Sequence, residues 1–240
     1  MHYLLRKQII FLFIFTGFTI TECWSQREIY RPNHDDLTYY FGITLGYNSS
    51  TLRATKRNTF IASDSILSAD ASASNGIVLG LLGTARLSDH FQIRINPQLV
   101  LGGSRSFTYT LGSRLPTESE IQKKILPSTL ASLPIHIKFN SDRIDNFRMY
   151  VLGGARFDMD LSSNAAARNA EDLIKLEKYN TSLETGIGFN IFLPFVTISP
   201  EIKFSYGITN IHARDAALKY SNTFDKLQSS MFTFSIHFED

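Results

Sequence analysis

The chain has 240 residues, of which 43% are hydrophobic and 19% charged, and its formal net charge is +2. This composition excludes a disordered chain and a polytopic helical membrane protein. The small net charge, without a long basic run, argues against a nucleic-acid partner. The length allows one large domain or two small ones.

The N-terminus has the features of an export signal. Two basic residues precede an apolar run over residues 9–20, which is shorter than the roughly 20 residues that a transmembrane helix needs. We therefore predict a signal peptide over residues 1–25, cleaved after Ser25. A lipoprotein acylated on Cys23 is the alternative, but the polar residues before Cys23 disfavour it. Cleavage would remove the only cysteine, and with it any thiolate or disulfide chemistry.

Residues 26–38 are polar and are predicted to form a flexible periplasmic lead-in. The first strong pattern follows in Tyr39–Asn48, where large residues such as Phe41, Ile43 and Leu45 alternate with glycines and polar residues. A period of two predicts a β-strand with two unlike faces.

The same alternation returns seven more times, in segments near the ~9–11 residues with which a tilted strand crosses a bilayer. Pro97, Pro134 and Pro200 fall inside these segments, where each predicts a bulge or a strand end because proline lacks a ladder donor. The seven segments are 76–88, 91–101, 130–140, 147–160, 181–193, 196–206 and 230–238.

The connections between these strands alternate in length. Short links at 88–90, 140–146 and 193–195 alternate with long ones at 49–75, 102–129, 161–180 and 207–229. Outer-membrane barrels have short periplasmic turns and long external loops. Residues 39–240 are therefore predicted to be all-β: an eight-stranded antiparallel up-and-down transmembrane β-barrel in the outer membrane. Two of the long loops are predicted to hold short helices, at 118–126 and 169–178.

A soluble barrel of the lipocalin kind also alternates, but it turns its apolar residues inward. Here the apolar faces carry aromatic residues near strand ends, such as Tyr39, Phe91, Phe147 and Tyr206, as in the aromatic girdles of membrane barrels. The pattern favours an apolar face towards lipid and a polar face towards the interior.

The polar faces contain charges that an eight-stranded barrel would enclose, since its interior is just filled by side chains. These charges are predicted to form an interior network that packs the barrel and fixes its register. A proton or ion path, and a site that grips a partner segment, are the alternatives. The candidate residues are Arg94, Lys138, Arg156, Glu184, Glu201 and Lys203.

The sequence gives no catalytic, cofactor or metal site. The histidines never pair at a metal-ligand spacing. Ser235 and His237 share a face, but geometry and not residue type defines a hydrolase site. Asp158 and Asp160 could bind a cation, although a solvated rim is the simpler interpretation. We predict a protein that is not an enzyme and has no small-molecule substrate.

Three segments together resemble the PorT family of Bacteroidota outer-membrane β-barrels: GIVLGLLGTARLSDHFQIRINPQLVLGGSRSFTY (76–109), LPIHIKFNSDRIDNFRMYVLGGARFDMDL (133–161) and LPFVTISPEIKFSYGITNI (193–211). The resemblance implies a non-enzymatic part in type IX protein secretion, and in gliding motility in some members. The partners would be outer-membrane lipid and other components of that machinery.

The last aromatic strand, which ends at Phe238, is the expected barrel-assembly signal, although Glu239 and Asp240 follow it. The alternative function is a small barrel for adhesion or ligand binding through external loops. The basic stretch 53–57 and the pair Arg214-Asp215 would then be the residues to test.

Overall fold

The computed structural model describes residues 28–56, 66–102, 105–111, 121–126, 128–162, 176–213 and 224–240. The signal peptide over residues 1–25 lies outside these ranges and stays a prediction. In the described part of the chain, no helix is both long and apolar enough to cross a membrane.

Nine strand segments form one closed antiparallel sheet: β1 (Tyr39–Lys56), β3 (Ser74–Arg86), β4 (Phe91–Ile95), β5 (Gln98–Leu101), β8 (Leu130–Asn140), β9 (Phe147–Asp160), β10 (Tyr179–Phe192), β11 (Thr197–Gly207) and β12 (Phe224–Glu239). The first strand closes the ring because it pairs on one side with β12, where Gly42 is opposite Glu239. On its other side it pairs with β3, where Gly42 is opposite Leu82.

Segments β4 and β5 are two halves of one barrel strand. Gly83 is opposite Ile95 before the break and Gly80 is opposite Gln98 after it, so the register is unchanged across Asn96-Pro97. The proline interrupts the ladder without a bulge because it has no N–H to donate. The ring therefore has eight strands, and the predicted fold class is confirmed.

The two faces of the barrel are divided as the alternation predicts. The outward positions carry exposed apolar side chains, for example Phe41 at 65%, Leu81 at 64% and Ile187 at 43% exposure. The inward positions carry polar and charged side chains that are almost completely buried, among them Arg94 and Lys138 at 0%. The barrel is thus the inverse of a soluble one, with its apolar band outside.

A second, three-stranded sheet lies among the long connections and contains β2 (Ile66–Ser72), β6 (Arg105–Leu111) and β7 (Ile121–Leu126), in the order β2-β6-β7. The helix predicted over 118–126 is therefore wrong: Arg105 pairs with Leu126 and Thr110 with Ile121 in an antiparallel ladder. Pairing with a neighbouring strand outweighs the helical propensity of IQKKIL. Most of the other predicted helix, 169–178, lies outside the described residues.

Residues 28–38 also differ from the flexible segment that we expected. They contain a 3-10 helix, Pro32–Asp36, that begins with a proline after Arg31 in the left-handed region (φ 52°). His34 in this helix is buried at 6% exposure. We call residues 28–37 the N-terminal segment; it covers the end of the barrel at which the short turns lie, the short-turn end.

Candidate functional site in the barrel interior

Five ionisable side chains meet inside the barrel, and we call them the first ionic cluster: Arg94, Glu201, Glu239, Lys203 and His237. Arg94 donates to Glu201 Oε2 at 2.7 Å and to Glu239 Oε1 at 2.8 Å. Lys203 Nζ and His237 Nε2 each lie 3.2 Å from Glu201 Oε1. In the ring, β4 lies opposite β11, so the Arg94–Glu201 ion pair crosses the full width of the lumen.

A second ionic cluster contains Arg156, Asp158, Glu184 and His136. Arg156 donates from Nε to Asp158 Oδ1 at 2.6 Å and from Nη1 to Glu184 Oε1 at 3.2 Å. His136 Nε2 lies 2.7 Å from Glu184 Oε2. All four side chains are at most 1% exposed, so each charge depends on its protein partners in place of water.

Tyr150 lies beside the first ionic cluster and depends on a glycine for its space. Its hydroxyl donates to Glu201 Oε2 at 2.8 Å, and Lys138 Nζ lies 3.8 Å from the centre of its ring. A Cβ on Gly188 would fall 2.4 Å from Tyr150 Cζ, closer than any real contact allows. The small inward residue Gly188 therefore leaves room for an aromatic ring in the lumen. Lys138, which lies over that ring, also donates to Asn190 Oδ1 at 3.2 Å.

All six charged residues singled out in the sequence point into the lumen, and the structure adds the partners that sequence reasoning missed. The buried charges in the described barrel strands comprise four cations and five carboxylates, so the interior is nearly balanced: Arg94, Lys138, Arg156 and Lys203 face Asp158, Asp160, Glu184, Glu201 and Glu239. That this network packs the barrel and fixes its register stays a prediction.

Asp158 and Asp160 do not lie at the solvated rim that we expected, since the two residues, backbone included, are only 4% and 6% exposed. Asp158 accepts from Arg156, and Asp160 Oδ2 accepts from Ser128 at 3.1 Å. The inward positions of β9 remain buried up to Asp160. The enclosed lumen therefore reaches the end of this strand, where we had expected solvent. In the described ranges, no three His, Cys, Asp or Glu side chains are grouped so that they could hold a metal ion.

The surroundings of Ser235 and His237 differ from those of a hydrolase site. His237 Nδ1 lies 2.8 Å from Thr44 Oγ1, and its Nε2 faces Glu201. Among the residues that the structure describes, Ser235 Oγ has no hydrogen-bond partner. With no serine–histidine hydrogen bond, the pair lacks the arrangement that activates a nucleophile.

The N-terminal segment is held at the short-turn end by polar and charged contacts with β9, β11 and the C-terminal end of β12. Arg31 donates to Thr197 Oγ1 at 3.2 Å and to the carbonyl oxygen of Glu239 at 3.0 Å, and its guanidinium lies 3.4 Å from Asp240 Oδ1. Asp35 pairs with Arg148 at 2.9 Å. The residues before the first strand and after the last aromatic thus contact each other.

His34 is the centre of this closure. Its ring packs 4.8 Å from the ring of Tyr40 and 5.6 Å from that of Phe192. Burial lowers the pKa of His34 below its usual value of 6.5, and the Arg31 charge lowers it further, against the opposing effect of Glu239 and Asp35. The neutral imidazole is therefore the form that suits the closed position.

The C-terminal residues that depart from the usual barrel ending have defined places. Phe238 lies opposite Ile43 and Ile198 on the outer face, as an assembly-signal aromatic would. Glu239 turns inward to Arg94, and the Asp240 amide donates to the Phe41 carbonyl at 2.9 Å. Sequence reasoning missed Glu239 because it treated the last two residues as an appendage and not as one more strand position.

Solved structures similar to this chain are outer-membrane barrels. OprG of Pseudomonas aeruginosa is 16% identical, with 82% of this chain and 94% of that chain covered and a TM-score of 0.41. Ail of Yersinia pestis, solved with the heparin analogue sucrose octasulfate, is 11% identical, with 85% and 100% covered and a TM-score of 0.38. The N-terminal barrel domain of Pseudomonas aeruginosa OprF is 10% identical, with 82% and 97% covered and a TM-score of 0.37.

A search among curated proteins finds no match to the chain. The family model described as "Outer membrane protein beta-barrel domain" matches residues 24–213, which is most of the chain. The closed eight-stranded ring, with its apolar outer band and its ionic lumen, is the structure that such a domain requires. The chain therefore belongs to the outer membrane protein beta-barrel domain family, and its place is the outer membrane.

Proposed function

We propose that this barrel is a structural or assembly component of the type IX protein secretion machinery, and that it acts without catalytic turnover. The proposal is supported by the PorT-like segments 76–109, 133–161 and 193–211. These segments cover β3 to β5, β8 to β9 and β11, so the resemblance follows the barrel wall more than any one loop.

The packed interior is the observation that carries the scaffold role. Arg94 spans the lumen to Glu201, and Tyr150 fills the space beside this pair. The N-terminal segment covers the short-turn end through Arg31 and His34. A folded cargo would have no room beside these groups, so the protein would contribute to secretion through its outer surfaces, in contact with other machinery components.

The experiment compares the secreted proteome of a strain that lacks this gene with that of the same strain complemented by the gene. We expect proteins with type IX sorting domains to disappear from the medium and to accumulate in the envelope of the deletion strain. Unchanged secretion would refute the proposal. The same strains should be scored for spreading on a surface, which tests whether gliding motility depends on the protein.

A barrel for adhesion or ligand binding is the second candidate, and the sheet β2-β6-β7 favours it. This sheet lies among the long connections, which are external in outer-membrane barrels. The basic stretch proposed for recognition is partly structural: Arg53 lies 3.5 Å from the centre of the Tyr206 ring and donates to the Gly207 carbonyl. Arg57, Arg214 and Asp215 lie outside the described residues.

Protease treatment of intact cells separates the two candidates. Cleavage in the long connections should abolish binding to host or surface ligands if adhesion is the function, and it should leave secretion intact. Loss of secretion in the deletion strain together with unaltered adhesion supports the machinery role.

A further inference from the structure

The outer wall of the barrel contains an apolar groove of about 750 Å³. It crosses the wall from β3 to β9, and Tyr179 at the start of β10 also lines it. The large side chains around it face outward. They include Leu79, Leu81, Leu99, Leu133, Phe157 and Met159.

Two small outward residues make the depression. Pro97 interrupts the ladder between β4 and β5, and Ala131 lies on the adjacent strand, between Leu99 and Met159 in the pairing. The interrupted ladder at Pro97 and the short Ala131 side chain together leave the wall concave at this point. Ala155 also lies between two long outward side chains, but it does not line this groove.

Hydrocarbon surrounds this face, since the family places the barrel in the outer membrane. A concave apolar surface buries more of an acyl chain than a flat wall does. A lipid chain in the groove should therefore be retained longer than lipid chains elsewhere on the wall. The groove also has an oriented end: Tyr179 is 65% exposed and lies opposite Met159, at the end of the barrel where the long connections lie. Exposed tyrosines at this depth lie at a head-group interface.

A cation stands at the same end. Lys178 is exposed, and its Nζ lies 5.8 Å from the centre of the Tyr179 ring. Glu177, also exposed, precedes it and would weaken an anion's attraction without removing it. An apolar groove that ends at an aromatic ring and an ammonium group matches an acyl chain followed by a phosphate.

We propose that this groove binds one acyl chain of a phosphate-bearing anionic lipid in the leaflet at the long-connection end, with the phosphate beside Lys178. This site is independent of the secretion role, because it depends only on the barrel and its place in the membrane. A failed secretion experiment would therefore leave it standing.

The test uses the full-length mature barrel, delipidated in a zwitterionic detergent and supplied with phosphatidylglycerol or phosphatidylcholine, and counts bound lipids by native mass spectrometry. Ala131→Phe fills the groove. Ala155→Phe is the matched control, because Ala155 also faces outward, on β9, but does not line the groove. Heat-dependent gel mobility confirms that each variant forms a barrel.

We expect the wild type and Ala155→Phe to retain one phosphatidylglycerol. Ala131→Phe should weaken its retention at least about tenfold, since the loss of roughly two buried methylene contacts suffices for that factor. Lys178→Gln should reduce the preference for phosphatidylglycerol over phosphatidylcholine, and Glu177→Gln should raise it.

Three outcomes would overturn the proposal. The first is equal retention by Ala131→Phe and the wild type. The second is an unaltered lipid preference in Lys178→Gln. The third is a dimer that Ala131→Phe converts to a monomer, which would assign the groove to a second copy of the chain.

Discussion

The inner and outer surfaces of the barrel strands require different surroundings for their side chains, and β10 shows both requirements. Glu184 faces the lumen, where it needs His136 and Arg156 as partners. Ile187, three residues later, is 43% exposed on the outside, where it needs only an apolar surrounding. Inside, the identity of each residue depends on specific neighbours across the lumen. Outside, it depends on depth in the bilayer. Substitutions inside should therefore be strongly coupled to one another, and substitutions outside should be independent.

The largest effect is expected for Arg94→Met, which leaves Glu201 and Glu239 buried without their shared guanidinium. Removing one member of a buried ion pair costs about 3–5 kcal/mol of unfolding free energy. Urea titration of the barrel folded in lipid vesicles measures this loss. If the coupling inside is as described, adding Glu201→Gln and Glu239→Gln to Arg94→Met should restore much of the stability. A triple variant less stable than Arg94→Met would contradict the pairing.

The outer surface is tested by Ile187→Arg, near the middle of its strand. An arginine on the lipid face costs roughly 2–4 kcal/mol at the midplane and about 0–1 kcal/mol near the interface. Phe195→Arg is the depth control, because Phe195 lies in a short turn and is 91% exposed. Unfolding titrations in vesicles should show a clearly larger loss of unfolding free energy for Ile187→Arg than for Phe195→Arg. Equal losses would show that Ile187 does not face the bilayer core.

Gly188→Ala tests the space on which the inner surface depends. A Cβ there would meet the buried ring of Tyr150 at 2.4 Å, and forcing it in should cost about 1–3 kcal/mol, as overpacking does elsewhere. Gly83→Ala is the matched control, since its Cβ would meet Phe41 at an ordinary 3.8 Å. The same unfolding titration compares them. If Gly188→Ala does not lower the unfolding free energy, the Tyr150 ring can move aside at little cost.

The sequence predicts the outer surface and the strand count better than the inner contacts, for a physical reason. Alternation with a period of two is local, so it identified the eight strands and the face that turns inward. Which inward charge meets which depends on closure of the ring: Arg94 and Glu201 are 107 residues apart and on opposite strands. Glu239 was missed because its role exists only once the last strand pairs with the first.

The long connections show the same limit. IQKKIL has no strong alternation, and only its pairing with β6 makes it a strand. Likewise, the polar residues 28–37 carry no periodic signal, and their closure of the short-turn end depends on Arg143, Arg148 and the C-terminus, all distant in sequence. Local patterns do not contain this information.

The smallest expected effect concerns this closure and follows from the pKa of His34. Because burial lowers that pKa in the closed position, the detached segment binds the proton more readily than the closed one. Closure should therefore be most favourable above pH 6.5, weaken as the pH falls below 6.5, and stop weakening once the pH is below the lowered pKa. The charges that surround His34 set how far the pKa moves: Arg31 opposes protonation, whereas Glu239 and Asp35 favour it.

Hydrogen exchange of residues 28–37 in vesicle-embedded protein, measured at several pH values, tests this prediction. Protection factors, which correct for the slower intrinsic exchange at lower pH, should fall in the wild type as the medium is acidified below pH 6.5, because protonation favours the detached segment. His34→Gln removes this imidazole, so its protection factors should lack that fall. The barrel strands provide the internal reference, since their ladder pairings do not involve residues 28–37. A fall that persists in His34→Gln would assign the pH response to another group and would leave His34 as a packing residue only.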